Sequence, residues 1–229
     1  MRLDLTHVLD GFDREHNFPI TPLHEDVIQL VARSRAVYDP TLLMTYGGPS
    51  GDAWYWTRAD LHDDPKIRHL LPHDYVHRRT WGQPWIREDE NVLPRLAADA
   101  ASILRSGGTV TVGGHGDFLG VGYHQNLWAL ADGGLTPLEA LQAATLAGAR
   151  AIGHGEDLGS IEVGKLADLL VLNANPLEDI RNSESLRYVM KDGTLYEAGT
   201  LAELWPHTVR GPVFWWNAVE AEAFDPAHL

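Results

Sequence analysis

The sequence predicts an α/β fold class: the C-terminal part of a TIM-like (β/α)8 barrel, followed by a small all-β module. Up to residue 154, segments with helical spacing of apolar residues alternate with short β-rich runs, which indicates parallel strands joined by right-handed crossovers. Strand-like runs in series end in polar residues, as strands do at the active-site end of such a barrel. From residue 155 onward, turn residues separate short β-rich runs, which favours an antiparallel sheet.

Two helix–strand pairs can be bounded in the barrel part of the sequence. Helical spacing of apolar residues over 23–34 precedes a β-rich run over 37–44. A second helical face over 91–106 precedes a β-branched run over 109–112. Each pair has the order, helix and then strand, that a repeating α/β barrel requires.

A third helix and a hairpin complete the predicted elements. Thr136 and Glu139 form a capping-box pattern with Pro137 at the first helical position. This pattern predicts a helix that begins there and ends at Gly153. Further along, Asp192-Gly193 is the preferred dipeptide of a two-residue hairpin turn, so antiparallel strands are predicted on both sides of it.

Composition and charge exclude several classes of function. The 229 residues contain 18 Lys and Arg against 32 Asp and Glu, so the formal net charge is −14. That charge argues against a nucleic-acid or anionic-membrane partner, since phosphate binding needs clustered basic side chains. The absence of cysteine excludes disulfides, thiol catalysis and Cys-ligated metals, and leaves the 12 histidines with carboxylates as candidate metal ligands.

Residues 47–90 interrupt the alternation with a segment rich in tryptophan, tyrosine and histidine. A loop of this length can be a substrate-facing lid, and an insertion that packs its aromatic rings on the domain surface or on a partner chain is equally compatible. His69, His73 and His77 share one helical face, where they could bind a metal adventitiously. Pro72 weakens that helix, so a solvated basic patch is the default interpretation.

Three segments resemble the amidohydrolase superfamily, specifically its imidazolonepropionase- and prolidase-like branch. The Asp-Arg-Glu-His of residues 13–16 resembles the Glu-His that ends the sixth barrel strand, and residues 37–42 contain the Pro-Thr-Leu of the seventh. Residues 135–153, followed by 159–169, resemble the last barrel helix and its return to a β-sandwich. The resemblance implies that this chain holds barrel strands six to eight and part of that small β-sandwich.

The resemblance also implies a reaction. Members of the family hold one or two divalent metals that make hydroxide from bound water. The hydroxide attacks an amide, imine or ester carbon, while an aspartate after the eighth strand moves the proton. We therefore expect hydrolysis of a C–N bond in a small-molecule or dipeptide substrate. Zinc is the first choice of metal, and manganese, iron or cobalt also suit histidine and carboxylate ligands.

The resemblance assigns roles to particular residues. His16 is expected as a metal ligand or substrate contact at the end of strand six. After strand eight the sequence reads Gly-Gly-His-Gly-Asp over residues 113–117, similar to a subgroup often fused to a TolB-like propeller. His115 is therefore expected as a metal ligand, and either His115 or Asp117 as the catalytic group that transfers the proton. The expected substrate-binding residues are Tyr46, Tyr123 and His124.

Some of these residues have an equally simple structural interpretation. Asp117 could cap a helix or hydrogen-bond within its loop. His124 could hold a ligand in its orientation, or it could be a loop histidine whose hydrogen bonds are satisfied locally. A lone histidine such as His16 is often structural, and its position at a strand end is what favours a role in the site.

The predicted organisation is a partial barrel over residues 1–154 with the insertion at 47–90, then β-sandwich strands over 155–205 and a tail over 206–229. The ligands that the family places after strands one, four and five have no counterpart in the sequence. Three parallel strands cannot close a barrel, so we expect a homo-oligomer or a complementary N-terminal chain. The alternative is a non-catalytic partial-barrel module that acts as a binding or assembly partner. No signal-peptide pattern opens the sequence, and the cytoplasm is the default expectation.

Overall fold

The structure is a computed structural model, and it describes Val8 and residues 12–44, 51–82, 84–116 and 118–217. Two residues with roles expected from the sequence, Tyr46 and Asp117, lie outside the described residues. Within the described ranges the chain forms a parallel and an antiparallel β-sheet, connected by helices.

The first sheet is parallel and has three strands. Strand β1 spans Arg14–Glu15, β2 spans Val37–Asp39 and β3 spans Thr109–Val110, in the spatial order β1-β2-β3. Glu15 lies opposite Asp39, and Tyr38 lies opposite Val110. Because the three strands run in the same direction, their carboxyl ends meet at one edge of the sheet.

The α-helices of the described ranges are α1 (Glu25–Arg33), α2 (Gly51–Trp56), α3 (Pro65–Leu70), α4 (His73–Thr80), α5 (Leu93–Arg105), α6 (Leu119–Asp132), α7 (Pro137–Gln142) and α8 (Gly148–Ala151). Helix α7 begins at the predicted capping box, where Thr136 Oγ1 accepts from the Glu139 N–H and the Glu139 carboxylate accepts from the Thr136 N–H. A π-helical turn, Ala143–Ala147, joins α7 to α8. None of the described helices is long and apolar enough to cross a membrane.

The main hydrophobic core lies between the parallel sheet and helices α1, α5 and α6. Tyr38 of the central strand stacks on Phe18 with 5.6 Å between the ring centroids. Val31 of α1, Ile103 of α5 and Leu130 of α6 are almost completely buried in the same cluster. This packing fixes the sheet from which the strand ends project.

The aromatic segment is largely helical where the structure describes it. Helices α2, α3 and α4 surround a second apolar cluster that consists of Trp56, Leu61, Ile67, Val76 and Phe118. Phe118 immediately precedes α6, and its ring lies 5.0 Å from the Trp56 ring between centroids. The segment is therefore packed against the start of α6.

The helix predicted across the histidines of this segment is divided in two. Helix α3 ends at Leu70 and α4 begins at His73, with Pro72 at the N-cap position. His69 therefore lies on a different helix from His73 and His77. Proline lacks an amide hydrogen and disfavours a helical conformation in the residue before it, which explains the break.

The second sheet is antiparallel and has four strands. Its strands, in spatial order, are β4 (Leu169–Leu172), β5 (Leu186–Lys191), β6 (Thr194–Glu197) and β7 (Glu203–Trp205). The predicted hairpin turn joins β5 to β6, and Asp192 and Gly193 have φ angles of 47° and 78°. These left-handed angles match the twist of the flanking strands, which is why Asp-Gly is preferred there.

A 3₁₀ segment, Ile180–Glu184, attaches the second sheet to α6. Trp128 Nε1 donates a hydrogen bond of 3.0 Å to Ser183 Oγ. Arg181 and Asp132 form an ion pair with 3.0 Å between the guanidinium nitrogen and the carboxylate oxygen. The last turns of α6 are thus bonded to the connection that leads into β5.

Replacing Leu130 with alanine should destabilise the protein by about 3 kcal/mol, because truncation of a buried leucine loses burial and leaves a cavity. Leu130 is 1% exposed, whereas Leu138 on α7 is 55% exposed and provides the matched control. We expect Leu138→Ala to change the free energy of unfolding by less than about 0.5 kcal/mol. Urea denaturation measures both variants, and equal losses would contradict the position of the core.

Candidate functional site

The carboxyl ends of the parallel strands bring two histidines together. His16 directly follows β1, and His115 lies in the glycine-rich loop after β3. Their ring centroids are 5.3 Å apart, with 58° between the ring planes. The strand-end site, as we name it, consists of His16, Asp39, Thr41, Gly113 and His115. Two of the residues expected from the sequence therefore share one site.

His16 is bonded to the neighbouring strand end. Its Nδ1 atom is hydrogen-bonded to Thr41 Oγ1, and the two residues have left-handed φ angles of 68° and 39°. A β-branched residue rarely adopts such angles, which cost about 1–3 kcal/mol per residue. Strained residues persist where the surrounding structure imposes them, and they concentrate at functional sites. Thr41 was visible in the Pro-Thr-Leu motif, but no role was expected for its side chain.

His115 is oriented by its own loop. Its Nδ1 atom accepts a hydrogen bond of 2.8 Å from the backbone N–H of Gly116. Gly116 has a φ angle of 116°, and a Cβ atom there would lie 2.7 Å from Asp52 Oδ1. Only glycine fits both this backbone angle and this space, so the loop conformation that orients His115 depends on it.

Asp39, at the end of the central strand, connects the two sides of the site. Its Oδ1 atom accepts hydrogen bonds from the backbone N–H groups of Gly113 at 3.0 Å and Thr41 at 3.3 Å. A Cβ atom on Gly113 would come within 2.7 Å of both carboxylate oxygens, so the carboxylate needs a glycine beneath it. Asp39 was not among the residues expected from the sequence. It nevertheless lies at a strand end, and the same kind of position was the signal that indicated a role for His16.

Burial raises the pKa of the Asp39 carboxyl above its ordinary value, and the nearby Glu15 carboxylate adds to this effect. Hydrogen bonds from Thr41, Gly113 and the Thr111 side chain act in the opposite direction. Asp39 is therefore a partly buried acceptor that several donors hold in place between two strand ends.

Asn126 of α6 joins the loops after β2 and β3 to one helix. Its Nδ2 atom donates to the carbonyl oxygens of His115 at 3.3 Å and Gly122 at 2.9 Å. Its Oδ1 atom accepts from the Leu43 N–H at 3.2 Å, and the residue is only 2% exposed. No sequence pattern indicated Asn126, since an asparagine inside a helix carries no local signal for partners in distant loops.

Tyr123 is bonded to the end of another helix. Its hydroxyl donates a hydrogen bond of 2.8 Å to the carbonyl oxygen of Ala144, in the π-helical turn. Burial raises the pKa of this hydroxyl to about 12, and the Asp39 carboxylate adds to the shift. The hydroxyl therefore stays protonated at neutral pH and acts as a donor. Substrate binding by Tyr123 stays a prediction.

His124 lies at the junction with the second sheet. Its Nδ1 atom is 3.1 Å from Ser183 Oγ, and its ring centroid is 6.3 Å from that of Trp128. Burial lowers the pKa of the imidazole, and the Lys66 ammonium adds to this effect. These contacts give His124 a structural environment beside the 3₁₀ segment. Its role in substrate binding stays a prediction, as does that of Tyr46 outside the described residues.

The strand-end site supplies only part of a metal-ligand set. His16 and His115 bring two imidazoles, but no group of three potential ligands that could hold a metal ion occurs among the residues that the structure describes. Zinc sites in proteins use three or four side-chain ligands. The described residues alone therefore do not complete the expected metal site, and the ligand roles of both histidines stay predictions. Proton transfer by His115 or by Asp117 stays a prediction as well.

Replacing Asn126 with alanine should destabilise the protein by about 2–3 kcal/mol, because buried backbone groups lose their hydrogen-bond partner. The Leu43 amide should also exchange its hydrogen faster with solvent, since it donates to this side chain. Asn173 is exposed, so Asn173→Ala provides the matched control with little expected effect. Unchanged exchange at Leu43 in the Asn126 variant, measured by NMR, would contradict the loop-anchoring role.

The lowered pKa of His124 predicts a loss of stability on acidification. The unfolded chain binds this proton near pH 6.5, whereas the folded protein binds it only at lower pH. The unfolded state therefore holds more protons in that range, and the free energy of unfolding should fall as the pH drops below 6.5. His124→Asn keeps a polar partner for Ser183 but removes this titration. Chemical denaturation at several pH values should show a shallower slope for the variant, and identical slopes would contradict the assignment.

Sequence comparison relates part of the chain to known proteins. Residues 96–196 match the model of the amidohydrolase family. An ochratoxinase from Aspergillus niger is 29% identical over 139 residues, which are 59% of this chain and 28% of that protein. An imidazolonepropionase from Geobacillus sp. is 39% identical over 86 residues, which are 35% of this chain and 20% of that protein. The chain thus spans less than a third of the length of either relative.

Solved structures share the fold. A Xaa-Pro dipeptidase with methionine bound in its active site matches with a TM-score of 0.56 at 23% identity, over 83% of this chain and 41% of that one. The A. niger ochratoxinase structure matches with a TM-score of 0.51 at 21% identity, over 78% of this chain and 36% of that one. The α/β fold class is thereby confirmed, and these likenesses are consistent with a partial TIM-like barrel. The resemblance of this chain to the amidohydrolase family is confirmed over residues 96–196.

Proposed function

We propose that this chain is part of a metal-dependent hydrolase that cleaves C–N bonds in amide, cyclic amide or dipeptide substrates. The observation that carries the proposal is the meeting of His16 and His115, 5.3 Å apart, at the carboxyl ends of parallel strands. Enzymes built on α/β barrels place their catalytic groups at that end. The match of residues 96–196 to the amidohydrolase family supports it, and the likeness to a Xaa-Pro dipeptidase favours a dipeptide.

In this proposal β1, β2 and β3 are strands six to eight of a (β/α)8 barrel. The outer strands β1 and β3 each have β2 as a partner on one side, and a closed barrel requires further strands on the other. Such edges present unpaired backbone groups to any strand that can pair with them. We therefore propose that a complementary N-terminal chain or segment, or a second copy of this chain, supplies the neighbouring strands.

The second sheet gives an independent reason for a partner. Leu170 and Val171 of β4 are 60% and 45% exposed, and Trp205 of β7 is 58% exposed. Leu170 and Val171 are consecutive and point to opposite faces, and β7 is the other edge strand, so apolar side chains are exposed on both faces of β4 and at both edges of this sheet. A partner segment can cover such side chains. In this proposal the complementary segment or second copy also covers the second sheet.

The proposed cofactor is a divalent metal, with zinc as the first choice and manganese, iron or cobalt as alternatives. The amidohydrolase family generally uses such metals, which supply a hydroxide nucleophile near neutral pH when bound. His16 contributes an imidazole to the ligand set, His115 is the second candidate ligand that the sequence predicted, and the complementary segment would have to supply the rest. Either His115 or Asp117 is the proposed proton carrier.

A second candidate function is a non-catalytic module that binds or assembles with a partner. The observation that favours it is the incomplete ligand set, because the described ranges contain no group of three suitable side chains. The edges of the parallel sheet suit such a role equally well. The two candidates differ in whether metal binding and hydrolysis accompany assembly.

The hydrolase proposal predicts that the zinc- or manganese-loaded chain, in its native assembly, hydrolyses Xaa-Pro dipeptides or hydantoin-type cyclic amides. His16→Asn should lower kcat/KM by about 100-fold or more, because the loss of a metal ligand or substrate contact removes several kcal/mol of transition-state stabilisation. His24 is exposed before α1, so His24→Asn is the matched control and should leave kcat/KM unchanged.

Elemental analysis and determination of the solution mass complete this experiment. A chain that assembles with a partner, yet binds neither zinc nor manganese and hydrolyses none of these substrates, would overturn the hydrolase proposal and favour the module. A monomer in solution that still hydrolyses a substrate would contradict the proposed partner.

A further inference from the structure

The two histidines of the strand-end site differ in the partner of their Nδ1 atoms. His16 Nδ1 contacts the hydroxyl of Thr41, a group that can accept a hydrogen bond. His115 Nδ1 contacts the backbone N–H of Gly116 at 2.8 Å, and a backbone N–H can only donate. The Nδ1 atom of His115 is therefore an acceptor, with its lone pair directed at Gly116.

This hydrogen bond decides which nitrogen of His115 carries the proton. A neutral imidazole has one N–H, so with Nδ1 as acceptor the proton is on Nε2. A histidine that binds a metal through Nε2 has the opposite arrangement, in which Nδ1–H donates and the Nε2 lone pair faces the metal. We infer that His115 donates a hydrogen bond from Nε2–H to the substrate, and that it is not a metal ligand.

Packing around the loop holds this hydrogen bond in place. The His115 carbonyl and the Gly116 N–H belong to the same peptide unit and point in opposite directions. Asn126 donates to that carbonyl oxygen, and a Cβ atom on Gly122 would lie 2.4 Å from it, so α6 lies directly against the peptide. With its carbonyl held by α6, the peptide directs its N–H towards the imidazole ring.

The inference rests on the proposed hydrolase function and gives His115 a defined step in it. As a water or hydroxide oxygen bonds to the substrate carbonyl carbon, the π electron pair of the C=O bond moves to the carbonyl oxygen. His115 Nε2–H donates a hydrogen bond to that oxygen and keeps its proton throughout. When the C=O bond re-forms, the C–N bond breaks, and the leaving nitrogen receives the proton that the attacking oxygen releases.

The tautomer can be measured without turnover. In ¹⁵N-resolved NMR spectra of the full chain at alkaline pH, His115 should show a protonated Nε2 and an unprotonated Nδ1. Added Zn²⁺ should leave the Nε2–H signal in place, and methylphosphonate, an oxyanion probe, should shift it. A protonated Nδ1, loss of the Nε2–H signal on addition of Zn²⁺, or a signal that methylphosphonate does not move would each overturn the inference.

Two substitutions of His115 distinguish a hydrogen-bond donor to the substrate from a metal ligand at this position. His115→Gln provides an amide N–H donor, whereas His115→Glu provides a carboxylate ligand without a donor. Relative to His115→Ala, which should lower kcat by about 100- to 1000-fold, we expect rate recovery in the Gln variant only, with bound zinc unchanged in all three. Recovery in the Glu variant, or zinc loss in the Ala variant, would overturn the inference. If the wild type hydrolyses nothing, the proposed function fails, while the NMR experiment still decides the role of His115.

Discussion

Parallel pairing of β1 and β3 with the central strand β2 determines the geometry of the strand-end site. Neighbouring strands lie about 4.8 Å apart, so the outer strands are roughly 10 Å apart across β2. The rings of His16 and His115 nevertheless lie 5.3 Å apart, so the two side chains converge over the central strand. Asp39 and Thr41 lie at the end of that strand. Thr41 is hydrogen-bonded to His16, and Asp39 accepts a hydrogen bond from Gly113 in the loop that carries His115, so the end of β2 holds both sides of the site in position.

How much of this arrangement could be predicted from the sequence depends on how far apart the contacting residues lie along the chain. Alternating helical and β-rich runs predicted the α/β class, and strand-end positions predicted His16 and His115. Asp39 and Asn126 were missed because their partners Gly113 and Leu43 are 74 and 83 residues away. Periodicity and turn chemistry concern neighbours within a few residues, so a contact between two loops cannot be recognised before the sheet is assembled.

In the proposed barrel, the incomplete ligand set of the described residues and the edges of the parallel sheet have one physical origin. A (β/α)8 barrel builds its site from strand ends around the whole ring, so the three strands that we propose as strands six to eight present only part of it. Within the described ranges, β1 and β3 pair with β2 on one side only, so their outer backbone groups can pair with further strands. Additional strands would pair with the edges and add ligands at the same time, because each new strand that pairs with an edge also brings its own carboxyl end to the site.

Helix α6 serves two parts of the molecule at once. Asn126, in the middle of the helix, holds the loops after β2 and β3, while Trp128 and Asp132 hold Ser183 and Arg181 of the 3₁₀ segment. A displacement of the second sheet would therefore move the support of the loop that carries His115. In evolution, an exchange or deletion of that sheet would disturb the histidine pair as well.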